Sequence, residues 1–215
     1  MAARSDASPA LEHLHKADKV LSRLITRVHA RPAQAPFALK AETDLVPFRA
    51  LTESILHQQV TGKAAAAILG RFRAAFGKAD AFPEPGAVVN ATDEALRAVG
   101  VSRPKAAALR DLAAKSIDGT IPDGQSLHAM EEAEIEERLI QVRGVGVWTV
   151  HMLLMFRLGR LDVLPVGDYG IRKGFAKTFR TEGELATAAE ITRRGERWRP
   201  YRSVASWYLW RATEG

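Results

Sequence analysis

Residues 139–149 read LIQVRGVGVWT. Gly144 and Gly146 flank a single valine, Val145, and strongly apolar stretches lie on both sides. A helix that ends near Val142 and resumes near Val147 leaves only these few residues for the connection. Two readings follow. The segment is either a tight helix–helix turn or a binding device. In the second case the amides of Gly144, Gly146 and the next turn point outward at a helix N-terminus. Free N–H groups and the positive helix end make an anion site there. Glycine also admits a phosphate close to the backbone, because no Cβ intervenes.

The surrounding pattern is helical. Leu11, Leu14, Ala17, Val20–Leu21, Leu24–Ile25 and Val28 recur at helical period, and HARPAQAPF (29–37) then ends the run with two prolines. Phe48, Leu51, Ile55 and Leu56 share a face of a second helix, which HQQVTG (57–62) interrupts. Thr61 caps TGKAAAAILGRFRAAF (61–76), Thr92 opens a short helix, and Gly119 stops the helix that begins at RPKAAAL (103–109). A Glu-rich helix from Ser126 or Met130 reaches Val142, and VWTVHMLLMFRLG (147–159) follows the glycines. TEGE (181–184) has capping-box spacing, and a last helix runs from about Pro200 to Thr213. No stretch shows convincing period-2 alternation. LDVLPV (161–166) is the one strand candidate, and Pro165 argues against it. The expected class is all-α, with nine or ten helices and short connections.

Composition narrows the function. The chain has 215 residues, 47% hydrophobic and 26% charged, which is ordinary for a globular protein. It has no cysteine, so disulfides, thiolate zinc sites and iron–sulfur clusters are excluded. No apolar run reaches the roughly 18 residues of a membrane span, and MAARSDASPALEHLHKAD (1–18) lacks an apolar signal core. A cytoplasmic setting fits, nucleoid-associated in a bacterium. The 31 basic against 25 acidic residues give a net charge of +6, which suits a polyanion such as nucleic acid.

The spacing L-x-x-V-x-G-V-G-x-W-T (139–149) resembles the helix–hairpin–helix motif of the HhH-GPD superfamily of DNA glycosylases. Its Trp-Thr ending resembles the branch of the bacterial 3-methyladenine DNA glycosylase II, AlkA. ILHQQVTGKAAAAI (55–68), LDVLPVGDYGIRKG (161–174) and RSVASWYLW (202–210) resemble AlkA segments in the same order, so the likeness covers residues 45–213. It implies a two-lobed helical fold with the active-site cleft between lobes, without AlkA's extra β-rich N-terminal domain. The expected division is a tail at 1–9, one lobe from 10–50 with 160–215, and a central lobe at 51–159 carrying the hairpin at 139–150.

The resemblance also assigns roles. Asp168 falls at the family's essential aspartate. Its residue-level alternative is a plain helix N-cap, and Asp162 is the nearest competitor. A carboxylate can stabilise the positive charge that builds on a sugar as its N-glycosidic bond breaks. Trp148 stands where strand-cutting relatives carry a Schiff-base lysine, and 139–149 contains no lysine at all, which implies a monofunctional enzyme. Trp148, Tyr169 and Trp210 match positions that line or border the flipped-base cleft, and Met152 stands where the family has an aromatic. Trp198, Trp207 and Tyr208 read as core. Gln59 falls at the residue that fills the gap left by the flipped base, with Gln58 beside it.

Lys63, Arg103, Lys105, Arg143 and Arg202 are candidate phosphate contacts, together with Gly144, Val145, Gly146 and Thr149 of the hairpin. The carbonyls of Ile140, Val142 and Val145 would hold a structural Na⁺ or K⁺, with no cofactor needed for catalysis. The implied partner is double-stranded DNA with alkylated bases of the 3-methyladenine or 7-methylguanine type, bound by a monomer, with no role for a membrane. The rivals are a non-catalytic helix–hairpin–helix DNA-binding protein and a monofunctional uracil or mismatch glycosylase.

Overall fold

A computed structural model describes residues 8–31, 39, 41–78, 81–180 and 185–214. Among them every regular element is helical: thirteen α-helices and one 3₁₀ turn, with no strand. LDVLPV is irregular. Residues 1–7 of the expected tail and the TEGE capping box lie outside the described residues, and the first helix already starts at Ser8. No described helix is long and apolar enough to cross a membrane.

The chain divides into two compact units, Met1–Glu42 with His151–Gly215, and Thr43–Val150. The expected divisions were 50/51 and 159/160. The observed ones fall eight and nine residues earlier, the second inside a continuous helix. A helix that changes packing partners midway keeps its hydrophobic period, so the sequence carries no mark of the change.

The unit Met1–Glu42 with His151–Gly215 opens with α1 (Ser8–Ala17) and α2 (Lys19–His29). The period from Leu11 to Val28 predicts one helix, but Asp18 breaks it. Its backbone is extended, and its carboxylate accepts from the N–H groups of Val20 and Leu21, so it starts a new helix. That carboxylate is also the unit's internal charge. Arg194 donates to it from Nε and Nη2 at 2.7 and 2.9 Å, and the Trp198 indole N–H at 3.2 Å. Trp198 is fully buried, as the sequence reading placed it. Tyr208 is also buried, which raises its phenol to about 12, and its hydroxyl lies 2.7 Å from His29 Nε2.

Thr187 caps α12 (Ala188–Gly195) in a full capping box with Glu190. The Thr187 amide and hydroxyl, with Arg180, hold the Glu190 carboxyl down at about 2.

The unit Thr43–Val150 is arranged around α7 (Arg103–Ile117), which packs against α3 (Pro47–His57), α5 (Pro85–Val89) and α6 (Asp93–Ala98). Thr61 and Thr92 cap α4 (Gly62–Phe76) and α6 as expected. The predicted Glu-rich helix is two, α8 (Gly124–Ala129) and α9 (Glu132–Leu139), because the chain is extended at Met130–Glu131. Leu51, Ile55, Phe72, Leu96, Leu109 and Leu112 are wholly buried in this unit.

Asp18 sets a pH dependence. Burial works to raise its carboxyl, but hydrogen bonds from Arg194, the Leu21 amide and Trp198 outweigh burial and leave it below the usual range. A lowered folded value means stability that is present above the unfolded value of about 4 and lost as pH falls through the folded value. Asp18→Asn is expected to cost about 3 kcal/mol at pH 7, because Arg194 loses its buried partner. The cost should shrink by pH 3 in denaturant unfolding.

Candidate active site

Asp168 begins α11 (Tyr169–Phe179). Its Oδ1 accepts from the Ile171 amide at 2.8 Å and from the Trp210 indole N–H at 2.7 Å. The residue is therefore an N-cap, but a cap shared with a side chain from α13 (Arg202–Arg211), 42 positions along the chain. The contact depends on two glycines. A Cβ on Gly170 would lie 2.7 Å from Trp210 Cδ1, and one on Gly174 would lie 1.9 Å from the Leu209 carbonyl oxygen. The spacing Gly170-x₃-Gly174 clears one face of α11, so α13 can pack close enough for the indole to reach the carboxylate.

Aromatic surface adjoins this carboxylate. Tyr169 is 64% exposed. Phe156, at the end of α10 (Val147–Phe156), is exposed and lies 5.9 Å from the Trp210 ring at 32°. Trp148, Met152 and Phe156 recur at four-residue spacing and share one stripe of that helix. Trp148 is 52% exposed and Met152 is half-buried. Trp207 is half-buried, beneath the Arg211 guanidinium 4.7 Å from its ring centre, and Tyr208 is core.

The competing aspartate is committed elsewhere. Asp162 accepts from Arg202 Nε at 2.7 Å, Arg202 Nη2 at 3.0 Å and Arg199 Nη1 at 2.7 Å. This also corrects the reading of Arg202 as a phosphate contact. Its side chain is 14% exposed, and its planar fork is spent on Asp162.

In the other unit the hairpin has the predicted form. After α9, Ile140 caps the helix, the Val145 amide donates to the Val142 carbonyl at 3.0 Å, and α10 starts at Val147. Val142 and Val145 are buried and anchor the turn, while Arg143, Gly144, Gly146 and Val147 are exposed. Gly144 has φ +77° and would set a Cβ 3.4 Å from Ala108. Gly146 faces open space. Thr149, expected on the DNA side, is instead 5% exposed, because it lies on the inner face of α10 with Val150 and Leu153.

Asp111 of α7 receives the Arg143 amide at 2.7 Å and Lys115 on its other oxygen. Burial acts to raise this carboxyl, but the Arg143 amide and Lys115 outweigh it and hold it below its usual range.

The loop after α3 meets the same hairpin. Gln58 donates from Nε2 to the Gly144 carbonyl at 2.9 Å. Gln59 is exposed with φ +56°, the only non-glycine in the left-handed region among the described residues. Lys105 Nζ donates to the Leu56 carbonyl at 2.7 Å, so it holds the end of α3 and is not a surface phosphate ligand. Burial lowers its ammonium from the usual value. Lys63 and Arg103 are exposed on the first turns of α4 and α7. Asp111, Phe156 and Gly170 are absent from the sequence-based set. Phe156 and Gly170 have a signal in their spacing from Trp148 and Gly174, whereas Asp111 has none.

A helical hairpin with an open glycine, and an aspartate at a helix start beside exposed aromatics, together define a class. The sequence matches the family described as HhH-GPD superfamily base excision DNA repair protein over residues 52–200, and the chain belongs to that family. It is 35% identical over 168 residues to DNA-3-methyladenine glycosylase 1 of Schizosaccharomyces pombe, covering 78% of this chain and 73% of the relative. The solved DNA-3-methyladenine glycosidase of Bacillus halodurans superposes with a TM-score of 0.80 at 33% identity, covering 100% of this chain and 93% of that one. The 3-methyladenine DNA glycosylase of S. pombe, solved in complex with abasic DNA, superposes at 0.77 with 32% identity, covering 94% and 95%.

The left-handed backbone at Gln59 costs stability. Gln59→Gly is expected to raise unfolding free energy by about 1 kcal/mol in denaturant titration. Gly144→Ala, at φ +77°, is expected to lower it by at least about 1 kcal/mol.

Proposed function

We propose that the chain is a DNA glycosylase that removes alkylated bases of the 3-methyladenine and 7-methylguanine type and leaves an abasic site. The observation that carries this reading is the Asp168 carboxylate, held by the Ile171 amide and the Trp210 indole beside exposed aromatic rings. Breaking the C1′–N bond of the damaged nucleotide puts positive charge on the sugar. Asp168 stabilises that charge, and the water that adds at C1′ gives up its proton to the carboxylate. A methylated purine leaves readily because it departs as a neutral base. Tyr169 and Trp210 offer π faces that attract a cationic ring, and Met152 offers an adaptable apolar contact, while the exposed Trp148 indole lies on the same helical stripe as Met152.

Arg143, Gly144 and Gly146 supply charge and backbone to a DNA phosphate, with Lys63 as a further cation, whereas Val145, expected among these contacts, is buried and gives its amide to the Val142 carbonyl. The Ile140, Val142 and Val145 carbonyls are neutral oxygen donors of the kind that suits Na⁺ or K⁺. Val142 O already accepts one amide, and a cation held there would attract phosphate without entering the chemistry. Trp148 supports a monofunctional enzyme, since an indole cannot form a Schiff base.

Asp168→Asn is expected to reduce release of methylated purine from duplex DNA by at least about 100-fold with duplex affinity retained. Wild-type product should break at the abasic site only after alkali. Breaks without alkali would overturn the monofunctional reading. DNA binding with no base release from methylated, deaminated or mismatched duplexes would overturn the enzyme. Trp210→Phe keeps an aromatic ring, smaller than the indole, but loses the donor, and is expected to slow release about tenfold, more in kcat than in KM.

A further inference from the structure

Two neighbouring glutamines in the loop after α3 do different things. Gln59 is exposed and strained at φ +56°, whereas Gln58 turns inward and donates to the Gly144 carbonyl of the hairpin at 2.9 Å. A left-handed glutamine persists only where its surroundings over-determine it. Three contacts do so here. Lys105 holds the Leu56 carbonyl just before the loop at 2.7 Å. Gln58 ties the loop to Gly144. Asp111 ties the hairpin back to α7 through the Arg143 amide at 2.7 Å. Lys105 and Asp111 are on the same helix, so loop and hairpin are pinned to one rigid support.

We propose that Gln58 is a positioning residue that couples the phosphate-binding hairpin to Gln59, so that seating the hairpin on the backbone presents Gln59 to the base stack in a fixed pose. This rests on the reading of Gln59 as the residue that fills the space of the flipped base. The Gly144 carbonyl is suited to the coupling. The only residue that takes φ +77° beside Ala108 without strain is glycine, so the carbonyl direction is set by the fold and not by the DNA. Gln58, expected beside Gln59 on the DNA side, spends one of its two amide N–H donors on the hairpin instead. Its contribution is pre-organisation: the entropy of ordering the loop is paid on folding and not on binding.

The test is a double-mutant cycle on methylated duplex DNA. Gln58→Met keeps length and neutrality but loses the donor. It is expected to slow single-turnover excision about tenfold, with duplex affinity within about twofold and an unchanged unfolding midpoint. A 2-aminopurine beside the lesion should report a matching loss of the unstacked state. Gln59→Ala is expected to be at least as slow, and the double variant no slower than Gln59→Ala alone. If Gln59→Ala is slow but Gln58→Met excises at wild-type speed, or if the two effects multiply, the coupling is overturned while the Gln59 reading stands. If Gln59→Ala excises at wild-type speed, both fall.

Discussion

The indole N–H of Trp210 meets the Asp168 carboxylate at 2.7 Å, and the arrangement of the unit around it depends on that approach. A carboxylate at a helix start is common and can be satisfied by its own helix, as Asp123 is by the Ser126 amide. Asp168 differs in that a second helix must come close enough to share it. Gly170 and Gly174 remove the side chains that would hold α13 away, and the two helices pack directly on each other. The same closeness sets Trp210 against Phe156. Packing and chemistry therefore share one cause.

The hairpin is built on a different logic. Two of its valines face inward: Val142 and Val145 are buried, and Asp111 and Gln58 capture its backbone. The outer face combines backbone with the exposed Arg143, Ile140 and Val147. Backbone amides, a guanidinium and small apolar side chains present no base-reading pattern, which suits a protein that must examine many sequences for a rare damaged base. Rigidity from below is what makes such a bare surface useful, because exposed amides have a direction only if the turn cannot move.

Legibility followed the range of the interactions. The all-α class, the caps at Thr61 and Thr92 and the break at RGVG come from local rules, and were readable as such. The position of Asp168 at a helix start was also local, as glycine, aspartate and a helical run occur in order. Its link to Trp210 was not, since nothing in either segment records that they meet. Asp18 was missed as a helix break because its cap is embedded in an unbroken hydrophobic period, and its partner Arg194 is 176 positions away. Thr149 and Arg202 were misplaced for a related reason. Each is polar in a segment resembling a DNA-contact motif, and only the fold shows that one faces inward and the other is spent on Asp162.

The misplaced arginine bears on how a net charge of +6 is read. A sum over the sequence counts every guanidinium alike, but the fold does not. Arg194, Arg199 and Arg202 lie within nine residues of one another and are all forked onto Asp18, Asp162 or Glu196. Arg110 is likewise drawn to Asp93 and Arg157 to Glu42. These pairs hold helices and attract a polyanion only weakly, because each cation is matched at contact distance. Under the proposed function, the attraction to phosphate would fall to exposed cations at helix starts and turns, such as Lys63 and Arg143, where backbone amides add to the charge. The surplus of basic residues is therefore informative only after the paired ones are set aside. Lys63 and Arg143 both adjoin a glycine, Gly62 and Gly144.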